Sequence, residues 1–131
     1  IFKFLRKMET KEFIEAIENG KAQVLTVAKA QELKGKSIHW MYIGDSANYN
    51  EVNNMVVGDI TTEYDYYAKN DAERLNRMSE ERITEAKGIK ILLDSEGKWN
   101  YLRAYTGASS CFKEDTFTCS DADRQVYFIE K

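Results

Sequence analysis

His39 is the chain's only histidine, and that count removes several chemistries together. Two-histidine zinc sites and HExxH helices need a second imidazole. A Ser-His-Asp or Cys-His arrangement has to use His39. His39 lies between Ile38 and Trp40 in a run with strand character, so the expected state is a half-buried ring satisfied by one backbone group. A small enzyme using His39 with a carboxylate or with Cys111 stays as one reading of the chain.

The other reactive side chains carry less. Cys111 and Cys119 flank FKEDTFT. With KEDT at a hairpin tip, strand pairing brings them opposite or diagonal, and a disulfide is geometrically open. Two cysteines and no visible export signal point instead to two reduced thiols in a cytoplasmic protein. Their spacing is not that of a zinc knuckle. Asp121 with Asp123, and Glu80 with Glu81, are carboxylate pairs of the kind that turns and solvent favour. GKS at 35–37 resembles the end of a phosphate loop, but that motif needs a glycine where Ala30 stands and a helix after it. DSEGK at 94–98 has calcium-like offsets, but Trp99 and Tyr101 fill the later ligand positions, so it reads as a hairpin turn with Gly97 at positive φ. No metal and no cofactor is expected.

The aromatics hold the remaining signal. Eight tyrosines, two tryptophans and six phenylalanines make up 12% of the chain. In GKWNYLRAY (97–105), read as a strand, one face carries Trp99, Tyr101, Arg103 and Tyr105. Upstream, Ile60, Thr62, Tyr64 and Tyr66 alternate with Thr61, Glu63 and Asp65. Phenols need partners for their hydroxyls and arginine is almost never buried unpaired, so this row belongs at the edge of a core or on a semi-exposed face. Three readings follow. The row is a covered sheet face with Arg103 paired to Glu63 or Asp65. It is a surface for a protein partner or for self-association, since tyrosine, tryptophan and arginine are enriched in hot spots. Or it is a pocket for a nucleotide-like ligand, with tyrosines stacking a ring and Arg103 with Arg124 holding phosphate. The expected function is a small, soluble, non-catalytic binding or accessory domain, acting through Tyr64, Tyr66, Trp99, Tyr101, Arg103 and Tyr105 on a protein partner or on itself. The nucleotide-like ligand is the alternative.

The rest of the chain must position these groups. A length of 131 residues suits one domain, 1–131, with 1–9 as an extension or flexible end; Met8 is a candidate natural start. Charged residues are 31% and net charge is −3, which disfavours nucleic acid, although small barrels do stack single strands on aromatics. No apolar run approaches the roughly 20 residues of a membrane span. The apolar runs of IFKFLRKMET are shorter than the about 7–15 residues of a signal core.

A helix is expected over 11–19, capped by Thr10, with Phe13, Ile14 and Ile17 inward and Gly20 in the left-handed region. Strands are expected at 23–28, 37–44 and 55–67, the last bent or bulged at Gly58. Asn70 opens a helix with Glu73 in a capping box and Ala72, Leu75 and Met78 inward; residues 80–87 lack a clear phase. A hairpin joins 89–93 to 99–105, and 125–129 is the last strand. These elements define an α+β fold: a mostly antiparallel, strongly bent sheet or small open barrel with one or two packed helices.

Overall fold

The computed structural model describes residues 8–44, 51–96, 101–104, 115–118 and 124–131. Their order is α1 (Thr10–Glu18), β1 (Gln23–Val24), α2 (Val27–Glu32), β2 (Ser37–Gly44), β3 (Asn53–Thr62), α3 (Glu63–Asn70), α4 (Ala72–Asn76), α5 (Glu80–Gly88), β4 (Lys90–Asp94), β5 (Tyr101–Ala104), β6 (Phe117–Thr118) and β7 (Arg124–Glu130). All strand pairings are antiparallel, in the order β1-β7-β2-β3-β4-β5-β6. A further pairing of β6 with β7, Thr118 opposite Gln125, closes the sheet on itself. The fold is therefore α+β, with a ring-like sheet that is not a regular barrel.

The period-two pattern of the strands sorts the side chains to two faces. Ile38 and Trp40 of β2, Leu92 of β4, Leu102 and Ala104 of β5, Phe117 of β6, and Val126 and Phe128 of β7 fill the ring. Leu25, Val27, Ala30 and Leu33, in and around α2, complete that core. On the outside of β2 and β7, α1 lays Phe13 and Ala16 against Met41, with Ile43, Tyr127 and Ile129 at the border. On the outside of the sheet α3 packs on β3 and β4, and α5 packs on α3 and β3.

Several expected elements hold. β2 spans the residues expected for it. Gly20 has φ of 81°, which ends α1 as a left-handed glycine does. The register of β3 against β4 shifts between Val57 and Ile60, around Gly58. The hairpin of β4 and β5 forms, with Leu92 opposite Leu102 and Ile91 opposite Arg103. Asp94 begins its turn, accepting a hydrogen bond from the Glu96 amide at 2.9 Å.

Five expectations are corrected. The cap expected at Thr10 does not form: Thr10 is the first residue of α1, and Glu9 before it makes no side-chain cap. The strand at 23–28 stops at Val24, because Thr26 Oγ1 accepts from the Lys29 amide at 3.1 Å and opens α2. The strand at 55–67 stops at Thr62, whose Oγ1 accepts from the Asp65 amide at 3.0 Å and opens α3. Tyr64 and Tyr66 therefore lie on a helix, not on a sheet face. Asn70 closes that helix, its side chain donating to the Tyr66 carbonyl at 2.8 Å. The next helix follows Asp71 without a side-chain cap, so the box with Glu73 does not form; Ala72 is exposed, and Leu75 and Met78 are only half-buried. Ile14 is exposed rather than inward. Residues 80–87 resolve as α5, opened by Ser79 Oγ accepting from the Arg82 amide at 3.2 Å.

Candidate functional site

The site forms where side chains of α3 meet those of β5, with α5 beside α3. Starting α3 at Glu63 puts Glu63 and Tyr67 one turn apart on the same side of the helix. Both face the sheet: Glu63 is fully buried and Tyr67 is 2% exposed. A bare carboxylate there would be costly. Two arginines compensate it. Arg82 of α5 binds Glu63 Oε1 through Nη2. Arg103 of β5 places Nε 3.3 Å from Glu63 Oε2. The covered-face reading of Arg103, with Glu63 as its partner, is thus the arrangement observed.

Arg103 reaches further. Its Nη2 donates to Tyr67 Oη at 2.9 Å and to Tyr101 Oη at 3.0 Å. Its guanidinium carbon stands 5.2 Å from the centre of the Tyr101 ring. Tyr66 packs against Tyr101 with centroids 5.0 Å apart and planes tilted by 50°, and edge-on against Tyr67 at 5.8 Å. Arg74 of α4 lies over the Tyr67 ring at 4.7 Å. Burial pushes the Tyr67 phenol above its ordinary pKa, and the Arg103 charge opposes that shift. Tyr67 therefore stays protonated as a phenol at neutral pH.

Of the six residues expected to form the site, Tyr66, Tyr101 and Arg103 come together. Tyr64 does not join them. Two positions along a helix is a rotation of about 200°, and Tyr64 instead lies under Lys87 of α5, with Nζ 5.0 Å from its ring centre. Trp99 and Tyr105 lie outside the described residues, as do Cys111, Cys119, Gly97, Asp121 and Asp123. Three members were missed: Glu63, as more than a pairing partner, with Tyr67 and Arg82. The four-residue spacing of Glu63 and Tyr67, together with Ser79 three before Arg82, carried the signal.

His39 is on the outer face of β2. Its Nδ1 lies 2.6 Å from Asn54 Oδ1, which makes Nδ1–H the donor. The expected single backbone partner is replaced by this side-chain amide across the β2–β3 ladder. Burial lowers its pKa from the usual value, against the opposing hydrogen bond to Asn54. Among the described residues, no group of three His, Cys, Asp or Glu side chains is placed to hold a metal, and no helix is long and apolar enough to cross a membrane. The chain matches no protein-family model, no curated protein and no solved structure.

Proposed function

We propose that this chain is a non-catalytic binding module that engages a protein partner, a second copy of itself included, through the seam of α3 and β5. The observation that carries this reading is the half-buried Tyr66–Tyr101 ring pair, in which Arg103 holds the Tyr101 hydroxyl. Interfaces draw most of their affinity from a few large, rigid side chains, and fixing them in advance lowers the entropy lost on binding. Tyrosine with two rotatable angles suits that role, and Arg74 extends the same surface.

The nucleotide-like alternative is weaker on electrostatic grounds. Arg103 already faces the Glu63 carboxylate, so a phosphate would meet a compensated guanidinium. The small-enzyme reading needs a carboxylate or thiol beside His39, and the side chain bonded to it is an amide.

A photo-crosslinking residue at position 66, compared with one at exposed Lys11, tests the proposal alongside light scattering over a range of concentrations. The expected result is a defined adduct, with itself or with one protein, formed at position 66 only and lost on Tyr101→Ala. A monomer at every concentration, with no more crosslinking at 66 than at 11, overturns it.

A further inference from the structure

One end of the ring opens between α2 and the start of α3. The open, shallow cleft there has a volume of about 320 Å³ and is lined by Val27, Gln31, Ile60, Thr62, Asp65 and Lys90 among others. That size is at the small end of the roughly 300–1,000 Å³ usual for ligand sites, and the mouth of a closed sheet is a usual place for one.

The lining has a definite chemistry. Val27 belongs to the ring's core and Ile60 packs against that core, so they make an apolar floor. Lys90 and Thr62 are direct neighbours across the β3–β4 ladder, so the cation stands at the lip of the ring. Asp65 is in the first turn of α3, its amide held by Thr62. Among the described residues the Asp65 carboxylate has no ion pair. Lys90 Nζ lies 3.5 Å from Asp115 Oδ1, with both side chains about half exposed. A contact of that length and exposure is weak and open to exchange. Asp115 itself is fixed by its backbone: φ is 63°, and its carbonyl accepts from the Val27 amide at 2.8 Å.

The cleft therefore offers one anion, one cation that a second carboxylate only loosely holds, and a short apolar floor. A single lining cation suits one carboxylate better than a polyphosphate. The described lining contains no aromatic ring, which a sugar or base would use for stacking. We propose that the cleft binds a small zwitterion, an aliphatic α-amino acid, with its carboxylate on Lys90, its ammonium on Asp65 and its side chain over Val27 and Ile60. This site is separate from the tyrosine seam and does not depend on it.

The test is titration of the whole chain with L-leucine, followed by amide chemical shifts. Two analogues run beside it: 4-methylpentanoate, which lacks the ammonium, and 3-methylbutylamine, which lacks the carboxylate. The expected result is saturable shifts centred on Val27, Ile60, Thr62 and Lys90, with each analogue about tenfold weaker or worse, as the loss of one charged hydrogen bond implies. Lys90→Met weakens leucine to the same degree. Asp115→Asn removes the competing carboxylate, suits a residue at positive φ, and tightens leucine about two- to fivefold. Tyr66→Ala leaves binding unchanged, so failure at the seam and failure at the cleft are told apart. No saturable shift at millimolar leucine, equal binding of leucine and both analogues, or unchanged binding in a folded Lys90→Met protein overturns the proposal.

Discussion

Glu63 and Arg103 tie the helical layer to the sheet, with Arg103 Nε 3.3 Å from Glu63 Oε2 and the glutamate fully buried. The two arginines on this carboxylate are not equivalent. The Arg103 side chain is 22% exposed and the Arg82 side chain 35% exposed, so water already serves part of Arg82. A buried charge cluster of this kind does not add stability over an apolar core, but breaking it by removing one member leaves a charge without its partner.

Glu63→Gln removes the only carboxylate that both arginines share among the described contacts. It is expected to lower unfolding free energy by about 3 kcal/mol, the lower end for breaking a buried pair, because both arginines keep some water. Arg82→Met leaves Glu63 with Arg103 and costs about 1.5 kcal/mol. Urea unfolding of the two variants measures both. Equal losses, or no loss in Glu63→Gln, contradict this ranking.

Arg103 Nη2 serves two hydroxyls, so each can cover for the other. Tyr67→Phe and Tyr101→Phe are each expected to cost about 1 kcal/mol. The double variant leaves Nη2 without either phenol and loses more than the sum of the singles. A double-mutant cycle in urea reads the difference; strict additivity means the two bonds are independent.

Much of the fold was legible because the strands carry unambiguous signals. Residues 37–44 alternate cleanly, with Ile38 and Trp40 on one face and Met41 and Ile43 on the other, and the polar DSEGK separates two runs that pair. The two strands that end early share one cause. At Thr26 and Thr62 a β-branched residue fits a strand by propensity, yet its hydroxyl caps a helix instead. TTEYDYY alternates at period two, but its helical spacing also puts Glu63 and Tyr67 on one side. Local pattern cannot choose between the two. The choice is made by tertiary structure, because the helix lets Glu63 meet Arg82 and Arg103, which lie 19 and 40 positions away. Tyr66, Tyr101 and Arg103 therefore meet in space, while Tyr64, expected on one strand face with Tyr66, lies beyond the end of β3 and turns to Lys87 of α5.

Gly58 occupies the register shift of β3. A Cβ built there would stand 2.6 Å from the Leu93 carbonyl oxygen and 3.0 Å from the Ser95 nitrogen. Both obstacles are backbone, so the strands must part to admit a methyl group. Gly58→Ala is expected to cost about 1–3 kcal/mol, as overpacking does, and to reduce amide protection along β3 and β4 before other strands. A variant as stable as the parent means that the bulge relaxes freely.

His39 gives the fold a pH dependence whose sign follows from its environment. Burial, the largest influence, lowers its pKa, and the Lys131 charge acts the same way; the bond to Asn54 and the Glu12 charge oppose them. In the unfolded chain the imidazole titrates near about 6.5. Above that pH it is neutral in both states and the folded chain carries no penalty. As pH falls below it, the unfolded chain takes up the proton first, so stability declines until the folded imidazole titrates as well. The effect is read as the difference between the parent and His39→Gln, which keeps a donor for Asn54 and cannot titrate. From about pH 7.5 to about pH 5 the parent is expected to lose stability relative to that variant, with the gap opening below about pH 6.5. Parallel curves across the range, or an imidazole that titrates above its usual value by NMR, would show that the charged form is not disfavoured by its surroundings.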